Sequence, residues 1–325
     1  MENTIQAPSG APSLTRWQRF KARVGTRHFV TQLITNILLY LLMFGLSYVV
    51  LFPLIMRVAN SFKAFEDIYN ANVYIIPQHF TTESVRNALN RLDLFGSDGR
   101  FVLMYSALIA FLQVASATLV GYGFARFKFP GNKILFGAVL FVLIVPPTTI
   151  TPSLYEFFLD VNPWGLVTAK TGELYGWNFC ATVIPQSLLA IGCVGYKNGL
   201  YVYLMRQYFK GMPSVLEEAA YIDGAKPFKA FFRVMLPSAL TMMVTIFLFG
   251  FCWQWTDDTY RSTIALNLPS LMTNAQNYSS EYDQLWQSIQ QQTGMLIAVL
   301  PLIILFLVCQ KFFVEGIERS GITGI

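Results

Sequence analysis

Charge is scarce in this sequence of 325 residues: Asp, Glu, Lys and Arg together make up 13% of it. A soluble domain carries roughly 25%, so there is too little polar side chain to clothe an ordinary cytosolic enzyme. At 54% hydrophobic residues, the composition equally excludes a disordered chain. The four cysteines, Cys180, Cys193, Cys252 and Cys309, show no C-x-x-C spacing, which argues against both a zinc site and a disulfide-stapled secreted module. Histidine is almost missing. His28 and His79 lie in different polar segments, so a histidine metal centre or a Ser-His-Asp triad is not expected. No G-x-x-x-x-G-K-[ST] loop and no G-x-G-x-x-G after a strand occurs, so the chain has no standard device for nucleotide phosphates.

What is present is apolar sequence in blocks. Six stretches without a charged side chain run approximately over 33–56, 101–124, 134–155, 174–196, 234–256 and 284–310, the last with its dense part at 293–309. A hydrocarbon core of ~30 Å needs about 20 helical residues. Backbone groups in lipid must be satisfied within the segment, so helices are expected rather than strands. The fold class expected is all-α, a polytopic membrane protein with six transmembrane helices. The first run exceeds a signal-peptide core in length and is expected to remain as an uncleaved anchor.

Orientation follows from the 23 Lys and Arg residues. With a cytoplasmic N-terminus, the inner segments hold Arg16, Arg19, Lys21, Arg23, Arg27, Arg126, Lys128, Lys133, Arg206, Lys210, Lys226, Lys229, Arg233, Lys311 and Arg319. The outer ones hold only Arg57, Lys63, Arg86, Arg91, Arg100, Lys170 and Arg261. The excess places both termini inside, and the net charge of +5 reads as attraction to anionic lipid rather than to nucleic acid. Residues 1–32 form a cytoplasmic tail, first Pro/Ser-rich and then a basic stretch with Trp17 and Phe20 that reads as an amphipathic lead-in. The transmembrane domain runs over 33–314, and 315–325 form a second cytoplasmic tail. Segment 57–100, with Phe62, Phe65, Tyr69, Tyr74, Ile75 and Ile76, is too apolar for a linker and is expected to pack as an external cap.

The polar segment 211–237 is the most informative. Pro213 and Pro227 each suit a first helical turn. Glu217 and Glu218 fall where a helix dipole favours acids, and Gly224 stands where a left-handed stop is needed. The pattern predicts a helix, a glycine turn and a second helix, with Ala219, Ala220 and Ala225 leaving room for another protein. Physics alone leaves a plain surface hairpin equally open.

The spacing Glu218-Ala219-Ala220-x3-Gly224-x9-Val234-x-Leu236-Pro237 closely resembles the EAA loop of the permease subunits of ABC importers, with Val234 where those proteins usually have Ile. Ala125-Arg126-Phe127-Lys128-Phe129-Pro130-Gly131 resembles the A-R-x-x-F-P-G turn of the carbohydrate-type permeases. Arg206-Gln207-Tyr208-Phe209 resembles their entry to the EAA loop, and Phe312-Phe313-Val314-Glu315-Gly316 their tail. The resemblance covers roughly 30–324 and is nearest to the oligosaccharide-importing branch, in particular the shorter member of its two-permease pairs. It implies the transmembrane-domain fold of type I ABC importers and a transport subunit rather than an enzyme. Glu217, Glu218, Ala219, Ala220, Asp223, Gly224 and Ala225 would then couple to an ATPase. The partners implied are a second homologous permease, two ATPase subunits, an extracytoplasmic solute-binding protein and membrane lipid. No cofactor belongs to this chain; ATP and magnesium belong to the ATPase subunits.

A substrate path is suggested by residues outside that pattern. Lys197, beside Asn198 in Gly195-Tyr196-Lys197-Asn198-Gly199, is the one basic residue well inside an apolar run. Nine positions before Arg206, it would lie roughly 14 Å into the membrane, where a cation is costly and often functional. Pairing with a carbonyl or snorkelling is the structural alternative. Trp253, Gln254, Trp255 and Asp257 combine faces that stack on sugar C–H surfaces with polar groups for hydroxyls. Trp253 and Asp257, four apart, are expected on one helical face. An interfacial aromatic belt is the alternative there. Pro146-Pro147 and Pro152 are expected to kink the third span. Glycerol-phosphate-like or other small polar solutes stand as alternative cargo. An ATPase-independent channel or secondary carrier fits six spans but not the 211–237 spacing.

Overall fold

The computed structural model describes residues 27–161, 177–265, 268–278 and 283–321. The amphipathic lead-in, most of the 1–32 tail and Lys170 lie outside the described residues. These are helical: no strand occurs among them, only isolated bridges between Lys63 and Phe80 and between Val161 and Trp177. Helix α1 (Arg27–Asn60) belongs, as far as Ala59, to one compact unit, and the chain from Asn60 onward to a second. In the second unit follow α2 (Glu83–Leu92), α3 (Ser97–Arg126), α4 (Asn132–Ile144), α5 (Pro147–Leu159), α6 (Ile184–Ile191) and α7 (Asn198–Gly211). The hairpin α8 (Val215–Ile222) and α9 (Pro227–Ala230) leads into α10 (Leu240–Trp255), α11 (Leu271–Gln276) and α12 (Gln284–Gly321).

Three described stretches are long and apolar enough to cross a membrane: Thr31–Asn60, Ser97–Arg126 and Gln284–Phe312. Two bent pairs raise this to as many as five if each is one span. The third expected span is broken rather than kinked, with α4 and α5 meeting at 101°. Val145 is extended (ψ 124) because the ring of Pro146 disfavours the helical region for the residue before it. The fifth expected span, 234–256, bends by 71° at Ala239, after a π-helical turn Phe231–Met235 and Pro237, so its straight part begins only at Leu240.

The fourth expected span, 174–196, is corrected most. Residues 178–183 are not helical, and α6 starts at Ile184, with Pro185 in its first turn. It stops at Gly192, and Cys193 (φ 59) and Lys197 (φ 62) then take left-handed conformations before α7 begins. Gly, Cys and Val all score as apolar or neutral, so hydropathy runs on across a backbone that has turned.

Helix α3 is the central element, packed against α6, α7 and α10. Its approach to α7 needs glycine, because a Cβ at Gly121 would stand 2.6 Å from Met205 Cβ. Around this contact Tyr201, Val202, Met205, Phe209, Met235 and Ile246 are fully buried. A second core joins α2, α3, α10, α11 and α12 through Leu92, Val102, Trp255, Leu271 and Ala298.

Residues 60–100 are packed within their own unit. Phe62 stacks on Phe80 at 5.1 Å, and Gln290 of α12, fully buried, donates to Ser84 Oγ at 2.9 Å. Arg91 donates to the carbonyls of Gln290 and Ala275 and lies over the Tyr278 ring. Lys63 Nζ donates to the carbonyl of Tyr74 at 2.9 Å. Asp67, 2% exposed, accepts from the His79 amide and meets His79 Nδ1, each at 2.8 Å.

Burial alone would raise the Asp67 pKa, but the His79 bonds bring it below its ordinary 3.8. The bond to Asp67 raises His79 above its ordinary 6.5. The aspartate's contribution is complete above 3.8 and is lost as pH falls through its folded value, lower still. The histidine's is complete below 6.5 and is lost as pH rises through its folded value, higher still. Amide protection over 63–80, corrected for intrinsic exchange, is therefore expected to be greatest between these two pH values. It should decline on either side; constant protection from pH 4 to 8 would contradict this pairing.

Candidate functional site

The hairpin at 211–237 owes its shape to local sequence. Ser214 stands at the N-cap position of α8 without a side-chain capping bond, and Glu217 and Glu218 occupy its first turn. At the other end the Ala225 amide donates to the carbonyl of Ala220 (2.9 Å) and the Gly224 amide to that of Tyr221 (3.0 Å). With Gly224 at φ 77 this is a Schellman stop, for which glycine is the unstrained residue. Lys226 is extended ahead of Pro227, which opens α9. Pro213, by contrast, lies outside α8, one residue before the cap.

The two glutamates point different ways. Glu217 is buried: Tyr122 Oη donates to its Oε1 at 2.7 Å, and Arg126 Nε lies 3.5 Å from Oε2. Arg126 also donates through Nη2 to the carbonyl of Met212 at 2.8 Å. The Tyr122 ring packs against Phe231, 4.6 Å between centroids, and against Phe209. One end of α3 thus holds the hairpin from inside, with Ala220 also turned inward. Glu218, Ala219, Asp223 and Gly224 are exposed, Ala225 is half-buried, and Val215, Ile222 and Phe228 present bare apolar side chains, Ile222 86% exposed. Exposed apolar side chains grouped in this way are typical of interaction surfaces. Tyr122 has no signal of this role in the sequence, while Arg126 sits in the Ala125–Gly131 turn.

The expected substrate-path residues divide into three groups. Lys197 and Trp253 are brought together: Lys197 Nζ lies 4.9 Å from the Trp253 ring and 5.2 Å from the Tyr196 ring, and the two rings meet edge to face. Gln254 and Asp257 converge on Gln186, which accepts from Gln254 Nε2 at 2.8 Å and donates to Asp257 Oδ2 at 3.1 Å. Tyr105 Oη also donates to Gln186 Oε1, and Arg261 lies over the Tyr105 ring. Asn198 and Trp255 are buried and each donates to a backbone carbonyl. Asn198 donates to the carbonyl of Ala190 at 3.1 Å, and Trp255 Nε1 to that of Ala298 at 3.0 Å, away from the others.

The expected shared face of Trp253 and Asp257 is also corrected. Helix α10 ends at Trp255, so Asp257 turns into the protein, where it accepts from the Tyr260 amide, while Trp253 stays 40% exposed. Gln186, Tyr105 and Arg261 were not singled out beforehand. A glutamine inside an apolar run, such as Gln186 or Gln113, is the signal that could have found them.

The family described as binding-protein-dependent transport system inner membrane component matches residues 117–320, from the middle of α3 to the end of α12. The maltose/maltodextrin transport system permease protein MalG of Escherichia coli is 28% identical over 309 residues, 90% of this chain and 95% of its own length. A probable ABC transporter permease protein, YurM of Bacillus subtilis, is 25% identical over 292 residues, covering 89% of this chain and 87% of its own. The arabinooligosaccharides transport system permease protein AraQ of Halalkalibacterium halodurans is 24% identical over 299 residues, covering 89% and 98%. Among solved structures, a chain from a bacterial ABC transporter involved in the import of the acidic polysaccharide alginate superposes with a TM-score of 0.61. It covers 93% of this chain and 100% of its own at 16% identity, a likeness of fold. With more than half of its length matched, including the hairpin and both helix breaks, the chain belongs to the family of binding-protein-dependent transport system inner membrane components.

Proposed function

We propose that this protein is a permease subunit of an ABC importer that moves an oligosaccharide across the bacterial cytoplasmic membrane by alternating access. The observation that carries this is the hairpin, braced from inside by Tyr122 and Arg126 and bare on its outer, apolar face. A rigid hairpin ending in such a face suits force transmission from a partner that closes on ATP. Closure would bias two packings of the same helices, opening the path to one side or the other. Hydrolysis, with its ATP and magnesium, belongs to the partner, and this chain is a gate and not a catalyst. Six crossings with both termini cytoplasmic follow if each bent pair counts as one span and α6 with α7 as another. The sugar assignment rests on the names of the relatives, which include maltodextrin and arabinooligosaccharide permeases.

The test is a gentle-detergent pull-down of the full chain from its native host, with mass spectrometry of what is retained. An ATPase, a second permease and a solute-binding protein are expected. Recovery of the chain alone, monodisperse and stable, would overturn the importer reading in favour of a channel or secondary carrier.

A further inference from the structure

We propose that Lys197 makes the solute path selective for saccharides that carry an anionic group, a carboxylate or a phosphate. This rests on the importer reading above and adds the charge of the cargo to it. Two helix breaks face each other at this point. The break between α4 and α5 contributes Leu143 and Pro147, and that between α6 and α7 contributes Gly195 and Lys197, to one cleft. Lys197 is the only charged residue lining it, and the other side chains of the lining are aliphatic apart from Tyr196 and Tyr260. The enclosed part holds about 40 Å³, room for water and not for a sugar ring, so a solute meets Lys197 from outside it; Trp253, whose ring lies 4.9 Å from Nζ, is 40% exposed.

The lysine is not explained by what surrounds it. Among the described residues, no carboxylate lies within 4 Å of Nζ and no hydrogen bond from it is formed. Asp257, a nearby acid, is turned away to Gln186 and the Tyr260 amide. The left-handed conformation at φ 62 does not call for lysine either, since glycine or asparagine adopts it with less strain. The rings of Tyr196 and Trp253 hold the ammonium by their faces and leave N–H directions free. Lys197 also stands at the start of α7, whose positive end adds to its field.

A cleft offering one cation and no anionic acceptor suits an anion better than a neutral polyol, whose hydroxyls need both donors and acceptors.

The test uses the complete importer in cells offered a mixed pool of neutral, uronate-containing and phosphorylated oligosaccharides, with depletion followed by mass spectrometry. Wild-type cells are expected to remove anionic members, and the pool distinguishes carboxylate from phosphate. Lys197→Gln should slow their uptake about tenfold or more, as loss of a charge-assisted bond does. Lys197→Arg should keep most of it, and in Lys197→Gln uptake of any neutral member should fall by a clearly smaller factor than that of the anionic ones. Depletion of neutral members only, or an equal loss for all members in Lys197→Gln, would overturn the proposal while leaving the importer reading standing. ATP-dependent depletion of no member would overturn both.

Discussion

Substituting Gly224→Asp is expected to leave the chain inserted and assembled in the membrane while uptake falls at least about tenfold. ATP hydrolysis by the complex should lose its dependence on the loaded binding protein. The reason lies in what the glycine faces. A side chain at this position meets nothing within 4 Å in the chain itself, so the substitution creates no internal clash. The φ of 77 costs a non-glycine residue about 1–2 kcal/mol, which asparagine and aspartate bear better than most residues. The hairpin therefore keeps its turn. What changes is the exposed surface beside Ile222 and Phe228, which gains a carboxylate where an apolar partner surface would lie. An unpaired charge buried in an interface costs several kcal/mol. Gly224→Asn, similar in shape and strain, should retain most of the uptake. Uptake and ATPase assays on both variants in reconstituted complexes measure this, and equal behaviour of Asn and Asp would remove the charge argument.

Glu217→Ala is expected to act from the opposite side of the same hairpin. It leaves the Tyr122 hydroxyl without an acceptor in a buried place, at a cost of about 1–3 kcal/mol, and Arg126 without its ion-pair partner. The pair with Arg126, at 3.5 Å and with both side chains slightly exposed, adds less than a fully buried one would. The outer face loses no atom, so any fall in coupling comes from a loosened brace. Recovery of the ATPase with the permease should drop about tenfold, and protease should cut faster within 211–237. Glu217→Gln still accepts from Tyr122 and should show roughly half the effect in free energy. Unchanged protease sensitivity in Glu217→Ala would show that the brace does not hold the hairpin. Glu218→Ala removes an exposed side chain and provides the contrast.

The sequence made the hairpin legible to the level of single residues. Its turn is decided within a few positions, by Gly224, Pro227 and the amides of Gly224 and Ala225. The apolar runs were legible as well, since hydropathy sums over neighbours in the chain. The boundaries within those runs were less so. At 192–197 and at Ala239 the backbone turns inside a stretch whose composition stays apolar, and no average over composition registers a change of φ.

What the sequence by itself determined is the set of local structures: helices where apolar runs demand internal hydrogen bonds, a break where proline or glycine removes or redirects them, and a stop at Gly224. Only the tertiary structure decided which of two adjacent glutamates faces inward, because that choice depends on Tyr122 and Arg126, some ninety residues earlier. The same holds for Asp257 and Gln254, drawn to Gln186 about seventy positions away, and for Trp255, held by Ala298. It holds for Lys197 too, whose place between Tyr196 and Trp253 depends on α10 packing beside the break. A buried polar group needs a partner, and in a helical membrane protein the partner of a side chain usually lies on another helix, where spacing along the chain carries no information.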